Sequence, residues 1–278
     1  TKLSILIVED SSDVRKYLSG LLSFEVNGAQ TFEVSTSLSN KRPRRLLNIL
    51  EAENGEEGLK LAVEKMPDLI ISDIMMPYMD GIEFCQKIKS NWETSHIPLI
   101  LLTAKASSES KIEGLETGAD DYLTKPFDSK ELFVRVKNLL EQRKLLKEKF
   151  SKEIRINAES LTTNTVDNEF LNKALAIAEK NISNIEFDSE FFAKEMFVSR
   201  SQLNRKLQAL TGQGPGEFIR LIRLKRAAEL ILEKRLSITQ IAYEIGFNSP
   251  SHFTKAFHNQ FNCLPSDFTE ICNKSAKV

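Results

Sequence analysis

The chain has 278 residues, a length typical of about two domains, and its 41% hydrophobic and 28% charged residues suit a soluble chain that buries ordinary cores. No apolar run approaches the roughly 18 residues of a transmembrane helix, and three scattered cysteines fit neither a disulfide framework nor a metal site, so we expect a cytoplasmic protein without membrane contact. The formal net charge of −1 conceals an acidic first part, with 21 Lys/Arg against 24 Asp/Glu in residues 1–150, and a slightly basic remainder, with 17 against 15. The two parts are therefore expected to do different work.

The first part alternates short, β-rich apolar runs with amphipathic stretches. This alternation predicts parallel βαβ units, and hence an α/β domain with a doubly wound, five-stranded parallel sheet covered by helices on both faces. The predicted strands are 3–8, 47–52, 68–72, 98–103 and 121–124, and the predicted helices are about 11–22, 55–65, 81–90, 108–117 and 128–147.

Chemically useful side chains lie at the carboxyl ends of four of these strands. Glu9 and Asp10 follow the first strand, Asp73 follows the third, Thr103 ends the fourth and Lys125 follows the fifth. Because parallel strands end at one edge of a sheet, these side chains should lie together. Carboxylates are ligands for Mg²⁺, and phosphoryl transfer to a carboxylate also needs cationic or hydroxyl groups at the phosphoryl oxygens. One such aspartate would usually be a strand-end cap, but five matched positions favour a phosphoryl-acceptor site.

Four segments, VEDSSDVR, ISDIMMPYMDG, LLTA and DDYLTKPF, resemble in order the signature segments of bacterial response-regulator receiver domains. The resemblance implies a flavodoxin-like fold, with Asp73 accepting a phosphoryl group from a histidine kinase. It also implies a Mg²⁺ site made by Glu9, Asp10, Asp73 and the backbone carbonyl of Met75.

The same resemblance assigns the residues that respond to the phosphoryl group. Thr103 and Lys125 match the phosphate-sensing hydroxyl and ammonium, and Tyr122 matches the aromatic switch residue. The Lys125–Pro126 bond matches a peptide bond that is cis in the family.

About twenty residues, 24–45, form an insert that departs from the family pattern and contains the basic cluster KRPRR. A surface loop and a small hairpin built from its two FEV runs both remain open as interpretations. The insert could also mask a partner surface, and its function is not readable from the sequence.

An aspartate nucleophile is also found in haloacid-dehalogenase-type phosphatases, which are the alternative enzyme class. Those enzymes place a second acidic residue two positions after the nucleophile, where this chain has Met75. We therefore expect a switch and not an enzyme that turns over. A phosphate sink that never contacts DNA is the other alternative.

From about residue 137 the pattern becomes wholly helical. Seven helices are predicted after residue 167, at about 168–182, 189–196, 200–210, 215–233, 238–245, 250–260 and 265–271. The segments FFAKEMFVSRSQLNRKL and QIAYEIGFNSPSHFTKAF resemble one another, because each has a short helix, a turn and a second helix that begins near a serine. The pattern predicts an all-α domain with two helix-turn-helix units joined by one long helix.

The second helix of each unit carries polar and basic side chains suited to DNA. Apolar residues at helical spacing, such as Leu203, Leu207, Phe253 and Phe257, are expected to form the core. The candidate DNA-contacting residues are Arg200, Ser201, Gln202, Asn204, Arg205 and Lys206 in the first unit and Ser251, His252, Thr254, Lys255 and His258 in the second.

The segments MFVSRSQLNRKLQALTGQGPGEFIRLIRLKRAAELI and SITQIAYEIGFNSPSHFTKAFHNQFNCLPSDF resemble AraC-type DNA-binding domains, which implies promoter DNA as a partner. One residue departs from that pattern. Phe197 stands in the first turn, where a small residue is usual and a positive φ is often required.

These resemblances suggest a receiver domain at 1–145, a linker at 146–166 and a DNA-binding domain at 167–278. The arrangement fits either a complete response regulator or the output half of a hybrid two-component sensor, whose kinase would lie in the same polypeptide. Phosphorylation is expected to produce a homodimer. Leu132, Leu139 and Leu146 recur every seven residues and could extend that pairing, although Arg143 interrupts the seam.

Overall fold

The computed structural model describes residues 3–27, 47–104, 118–152 and 164–275. The chain divides into two compact units, Thr1–Leu145 and Leu146–Val278. The predicted helix at 108–117 and the insert beyond residue 27 lie outside the described residues. Within the described ranges, no helix has both the length and the apolar character needed to cross a membrane.

The first unit contains a five-stranded sheet in the order β2-β1-β3-β4-β5, with every neighbouring pair parallel. This confirms the predicted α/β fold. Strands β3 and β4 are buried at every position, as expected for a sheet with helices on both faces. The strands are β1 (Leu3–Val8), β2 (Leu47–Ala52), β3 (Leu69–Asp73), β4 (Leu99–Thr103) and β5 (Asp121–Thr124).

Two hydrophobic cores lie on opposite faces of this sheet, because alternate residues of β1 point to opposite sides. Leu6 and Val8 pack into one core, and Ile5 and Ile7 pack into the other. The first core is covered by α2 (Gly55–Lys65) and α3 (Gly81–Ser90), and the second by α1 (Ser12–Asn27) and α4 (Ser129–Lys152).

Two of the three leucines spaced by seven residues, Leu132 and Leu139, pack into the receiver core. Leu132 is fully buried, and Leu139 packs against the same cluster. Packing of α4 on the sheet already encloses Leu132, which argues against its part in the suggested pairing, and Leu146 belongs to the second unit.

The second unit is all-helical. Its helices are α5 (Thr165–Lys180), α6 (Ser189–Met196), α7 (Arg200–Thr211), α8 (Pro215–Glu233), α9 (Ile238–Glu244), α10 (Pro250–Phe261) and α11 (Phe268–Ser275). Helix α8 is the central element: it has eleven buried residues, and it contacts α5, α6, α7, α9, α10 and α11. The pairs α6–α7 and α9–α10 are the two helix-turn-helix units, on either side of α8 in the chain.

The last turns of α4 belong to the second unit, although the sequence places them in the linker. Phe150 is fully buried there, and its ring stacks on Phe218 with centroids 5.6 Å apart. Two side chains hydrogen-bond to the end of the helix: Lys225 Nζ donates to Phe150 O, and Gln260 Nε2 donates to Ser151 O at 2.9 Å. Helix α4 therefore supplies core residues to both units.

Candidate functional site

Asp73 is the last residue of β3, and the backbone of the next loop folds closely around it. The carboxylate-bearing residue is buried, with 7% of its surface exposed. Gly81 N donates to Ile74 O at 2.9 Å, and a Cβ atom at Gly81 would stand 2.1 Å from Asp73 O. Only glycine allows this approach, so Gly81 fixes the loop that carries Asp73.

Glu9 and Asp10 follow β1, and the strand order places them beside Asp73. In a sheet with this order, the crevice at the carboxyl ends of β1 and β3 is the place where ligands bind. One carboxylate oxygen from each of Glu9, Asp10 and Asp73 lies within 4.8 Å of the other two. Three converging carboxylate oxygens are the hard donors that a small divalent cation such as Mg²⁺ prefers, so these residues fit such an ion.

Lys125 follows β5 and reaches into this cluster. Its Nζ lies 2.8 Å from Glu9 Oε2 and 3.0 Å from Asp73 Oδ1. Burial alone would lower the pKa of Lys125, but the hydrogen bonds and negative charges of Glu9 and Asp73 raise it above its ordinary value. The ammonium is therefore held in its charged form between two carboxylates.

Glu9 is the most strongly buried member of the cluster, at 2% exposure. Loss of solvation raises its pKa, the hydrogen bond from Lys125 opposes that change, and the charge of Asp73 adds to it. A proton is thus held at Glu9 more tightly than at an ordinary glutamate.

The remaining residues assigned from the sequence lie near the same edge of the sheet. Thr103 is the buried last residue of β4, and Tyr122 in β5 is half-buried against the core. The Lys125–Pro126 bond is cis, as the resemblance implies. Met75 is 73% exposed, and its backbone carbonyl is the candidate ligand because Mg²⁺ prefers oxygen donors to a soft thioether.

Arg15 lies in the VEDSSDVR segment, where the sequence assigns it no role. The structure places it against the backbone of Glu9 and Asp10. It is buried on α1, and its guanidinium contacts the backbone of Glu9 and Asp10 and the carboxylate of Glu53. The only sequence signal is an arginine five residues after an acidic pair. Its burial depends on β2, which is distant in sequence.

Helix α7 presents most of the predicted DNA-contacting residues of the first helix-turn-helix unit. Arg200, Ser201, Asn204 and Arg205 are exposed. Gln202 is half-buried, and its Oε1 accepts a hydrogen bond from Ser199 N in a capping box, so one of its polar atoms is already used in starting the helix.

Lys206 does not lie on that surface. It is 1% exposed, and its Nζ pairs with Asp167 on α5 at 2.5 Å. Asp167 is itself 2% exposed. The prediction that Lys206 contacts DNA was wrong, because its ammonium is enclosed between α5 and α7.

Helix α10 presents the corresponding residues of the second unit. Ser251, His252, Lys255 and His258 are exposed. Thr254 is half-buried, and its hydroxyl donates to Pro250 O at 2.9 Å.

The turns of the two units use the same left-handed backbone with different residues. Phe197 has φ +61° and an exposed side chain, and Lys173 Nζ lies 5.1 Å from its ring centroid. Gly246 has φ +78° in the second turn, where a Cβ atom would stand 2.6 Å from Ile182 O. The positive φ expected at Phe197 is confirmed. Its side chain has room because it points into solvent.

Comparison with known proteins identifies both units. Residues 39–137 match the family model of the response regulator receiver domain, and residues 192–271 match that of a helix-turn-helix domain. The first match begins after β1. It therefore leaves out Glu9 and Asp10, which the structure places beside Asp73.

The chain is also similar to individual known proteins. The chain is 45% identical over 267 residues to "Histidine kinase P4" of Formosa agariphila, a match that covers 96% of this chain and 18% of that protein. It is 38% identical over 137 residues to the phosphate regulon transcriptional regulatory protein PhoB of Pseudomonas aeruginosa, covering 49% of this chain and 51% of PhoB. A crystal structure of a putative response regulator from Chloroflexus aurantiacus is similar with a TM-score of 0.42 and 31% identity, over 51% of this chain and 99% of that one.

The chain thus spans about half of PhoB and less than a fifth of the Formosa protein. The two family matches occur in the order receiver, then helix-turn-helix, and each falls on one of the two compact units. The chain thus contains a response regulator receiver domain followed by an AraC-type helix-turn-helix domain.

Proposed function

We propose that Asp73 accepts a phosphoryl group from the phosphohistidine of a histidine kinase, and that this controls binding of the helical domain to promoter DNA. The observation that carries the proposal is the convergence of Glu9, Asp10 and Asp73, with Lys125 Nζ 3.0 Å from an oxygen of Asp73. Transfer to a carboxylate requires a positioned nucleophile and positive charge at the phosphoryl oxygens. This cluster contains the nucleophile and one fixed cation.

Mg²⁺ is the cofactor that the donor set favours. Glu9, Asp10, Asp73 and the Met75 carbonyl would hold it, and it would neutralise charge on the phosphoryl oxygens. Lys125 now neutralises two of the same carboxylates, so it is free to contact a phosphoryl oxygen only after it leaves Glu9 or Asp73. Thr103 would donate its hydroxyl to another of those oxygens, and Tyr122 would change its packing in response.

Phosphorylation is proposed to store a state and not to drive turnover. A phosphatase of the haloacid-dehalogenase type needs an acid or base two residues after the nucleophile, and Met75 supplies neither. Multiple turnovers on a phosphomonoester would favour that alternative. A receiver that accepts phosphate while the helical domain binds no promoter fragment would favour the phosphate sink.

The phosphoryl donor is proposed to be a kinase domain in the same polypeptide. The relative that matches 96% of this chain is named a histidine kinase, and the match occupies only 18% of that protein. The open reading frame that encodes the chain tests this directly, because a sensor and kinase in the same frame are expected. A kinase encoded as a separate gene would contradict the hybrid arrangement without affecting the role of Asp73.

The DNA-binding surface is proposed to consist of α7 and α10, and phosphorylation is proposed to pair two chains. The exposed candidates that support this surface are Arg200, Ser201, Asn204, Arg205, Ser251, His252, Lys255 and His258. The molar mass in solution, measured with and without acetyl phosphate, tests the dimer.

The phosphoacceptor is tested by Asp73→Asn with Asp13→Asn as the matched control. Both changes remove one carboxylate from the first unit, but Asp13 lies exposed on the first turn of α1. Acetyl phosphate with Mg²⁺ should label the wild type and Asp13→Asn, and should leave Asp73→Asn unlabelled. The same treatment should tighten the binding of promoter DNA by the wild type and by Asp13→Asn, and should leave the binding by Asp73→Asn unchanged. Phosphate-dependent DNA binding by Asp73→Asn would overturn the proposal.

A further inference from the structure

Arg15 is a buried cation that joins three parts of the receiver domain. Its side chain lies on α1, with 7% of the residue exposed. Nη1 donates to Glu9 O at 2.6 Å and to Asp10 O at 3.1 Å, and Nη2 donates to Glu53 Oε1 at 2.7 Å. One guanidinium therefore links the loop after β1 to the loop after β2.

These contacts hold the backbone of the two residues whose carboxylates face Asp73. The carbonyls of Glu9 and Asp10 accept from the same nitrogen, so the peptide planes on both sides of Asp10 are fixed relative to α1. Glu9 N is fixed from the other side, since it donates to Ala52 O at 3.1 Å. The side chains at positions 9 and 10 then leave the backbone in set directions.

Only arginine can make this set of contacts. Its planar fork presents several donors in fixed directions, whereas lysine has one compact ammonium on a flexible chain. An ammonium at position 15 could reach the carbonyls or Glu53, but would not hold all three in one geometry.

The charge of Arg15 could in principle oppose the binding of a cation. Glu53 Oε1 at 2.7 Å and Glu51 Oε2 at 3.9 Å lie against the guanidinium and largely compensate its charge. We therefore expect the positioning effect to outweigh the repulsion, so that removal of Arg15 weakens the metal site.

We propose that Arg15 is a positioning residue of the acidic site, which holds Glu9 and Asp10 in the geometry that binds Mg²⁺. The proposal rests on the proposed function of this site. Groups that orient metal ligands typically change metal affinity by about 10- to 100-fold when they are removed.

Calorimetric titration of the unphosphorylated full chain with MgCl₂ tests the proposal. Arg15→Ala should raise the Mg²⁺ dissociation constant by about 10-fold or more, and Arg15→Lys should restore part of that loss. The matched control is Lys16→Ala, which removes the same charge from the exposed neighbour on α1 and should leave the constant unchanged. Glu53→Gln, which keeps the carbonyl contacts and loses the ion pair, should fall between the wild type and Arg15→Ala.

The outcomes distinguish a loss of ligand positioning from a loss of folding, and both from a failure of the proposed function. Circular dichroism at the titration temperature establishes that each variant is folded. If Arg15→Ala is unfolded, Arg15→Lys and Glu53→Gln carry the same comparison. A folded Arg15→Ala, or in its absence Arg15→Lys, with the wild-type constant overturns the role of Arg15. Failure of the wild type itself to bind Mg²⁺ overturns the proposed function of the site instead.

Discussion

A carboxyl group that is buried beside another carboxylate is costly to ionise, because burial deprives the charged form of solvation, and Glu9 is in this position. Lys125 compensates only part of that cost, because its ammonium is shared between Glu9 and Asp73. The cluster is thus under electrostatic strain before any ion binds. A divalent cation would relieve this strain, as would protonation of Glu9.

This strain predicts a pH-dependent stability that Glu9→Gln removes. The folded-state pKa of Glu9 is above its ordinary value of 4.5, so as the pH rises from 4.5 through that raised pKa the unfolded chain loses its proton first. The free energy of unfolding therefore falls with rising pH in this window. Without divalent ions, Glu9→Gln should gain stability relative to the wild type across the same window.

Urea unfolding followed by the fluorescence of Trp92 measures this effect in the receiver domain alone. Trp92 is the chain's single tryptophan and belongs to the first unit. Lys125 does not interfere, since its raised pKa affects stability only above its ordinary value of 10.5. If the unfolding free energies of Glu9→Gln and the wild type differed by a constant amount from pH 4 to neutrality, ionisation of the buried Glu9 would carry no such cost.

Lys206 and Asp167 form a buried ion pair, which predicts a stability defect where the sequence predicts a DNA-binding defect. Lys206→Ala would leave the enclosed Asp167 carboxylate without this ammonium, at a cost of about 3–5 kcal/mol. Lys206→Met combined with Asp167→Leu should recover much of that loss, because two apolar side chains can replace a buried pair.

Arg205→Ala is the control, since it removes the same charge from the exposed neighbouring residue of α7. It should leave the unfolding free energy within about 0.5 kcal/mol of the wild type while weakening DNA binding. Unfolding of the helical domain is followed by far-ultraviolet circular dichroism, as the transition that the fluorescence of Trp92 does not report. If Lys206→Ala kept the wild-type unfolding free energy but bound DNA more weakly, Lys206 would be a DNA-contacting residue and the stability prediction would be wrong.

At the scale of elements, α4 shows how one helix serves two cores. Near its start, Leu132 and Val136 are buried against the receiver sheet. At its end, Phe150 is buried in the helical domain, where Lys225 and Gln260 satisfy the final carbonyl groups. Carbonyls at a helix end have no partner within the helix, so these two donors act as a cap supplied by α8 and α10.

This cap predicts that Phe150→Ala destabilises the helical domain and spares the receiver. Loss of a fully buried phenylalanine costs about 3–5 kcal/mol, so the circular dichroism transition of the helical domain should move to lower urea while the Trp92 transition stays. Leu145→Ala is the control on the same helix, because Leu145 is 64% exposed. Equal shifts in both transitions would mean that the two domains unfold as one.

Most elements could be predicted from the sequence because they depend on local patterns. The alternation of apolar strands with amphipathic helices predicts the sheet, and parallel strands must end at one edge, which brings Asp73 to Glu9 and Asp10. The start of α4 was predicted to within one residue, but the burial of its last turns was not, because Phe150 belongs to the predicted linker and is buried only through contacts with Phe218 and Lys225. The burial of Lys206 and the role of Arg15 could not be predicted for the same reason, because each side chain has its partner on another element.

At the scale of the whole molecule, the helical domain contains two similar helix-turn-helix units joined by α8. The α6–α7 and α9–α10 pairs each present a polar helix, and the apolar sides of α7 and α10 pack toward the domain core. Both helices belong to one chain, so a single helical domain should contact two stretches of duplex. Major-groove stretches on one side of DNA recur about every 10 base pairs.

This duplication predicts that substitutions in α7 and α10 affect different stretches of one operator. With a site chosen by selection from random duplexes, Asn204→Ala should relax the base preference in one stretch and His252→Ala in the other, each by about 1–3 kcal/mol at a contacted position.

Lys255→Ala should instead weaken binding to all sequences alike and reduce the slope of log affinity against log salt by about 1, because we expect this exposed lysine to contact phosphate and not a base edge. Lys60→Ala removes the same charge from α2 of the receiver and should leave the slope unchanged. Five base pairs inserted between the two stretches should abolish tight binding, because half a helical turn moves one groove to the opposite side of the duplex. If Asn204→Ala and His252→Ala relax the base preference at the same base pairs, α7 and α10 contact one stretch of the groove together. The prediction of two separate contacted stretches would then be wrong.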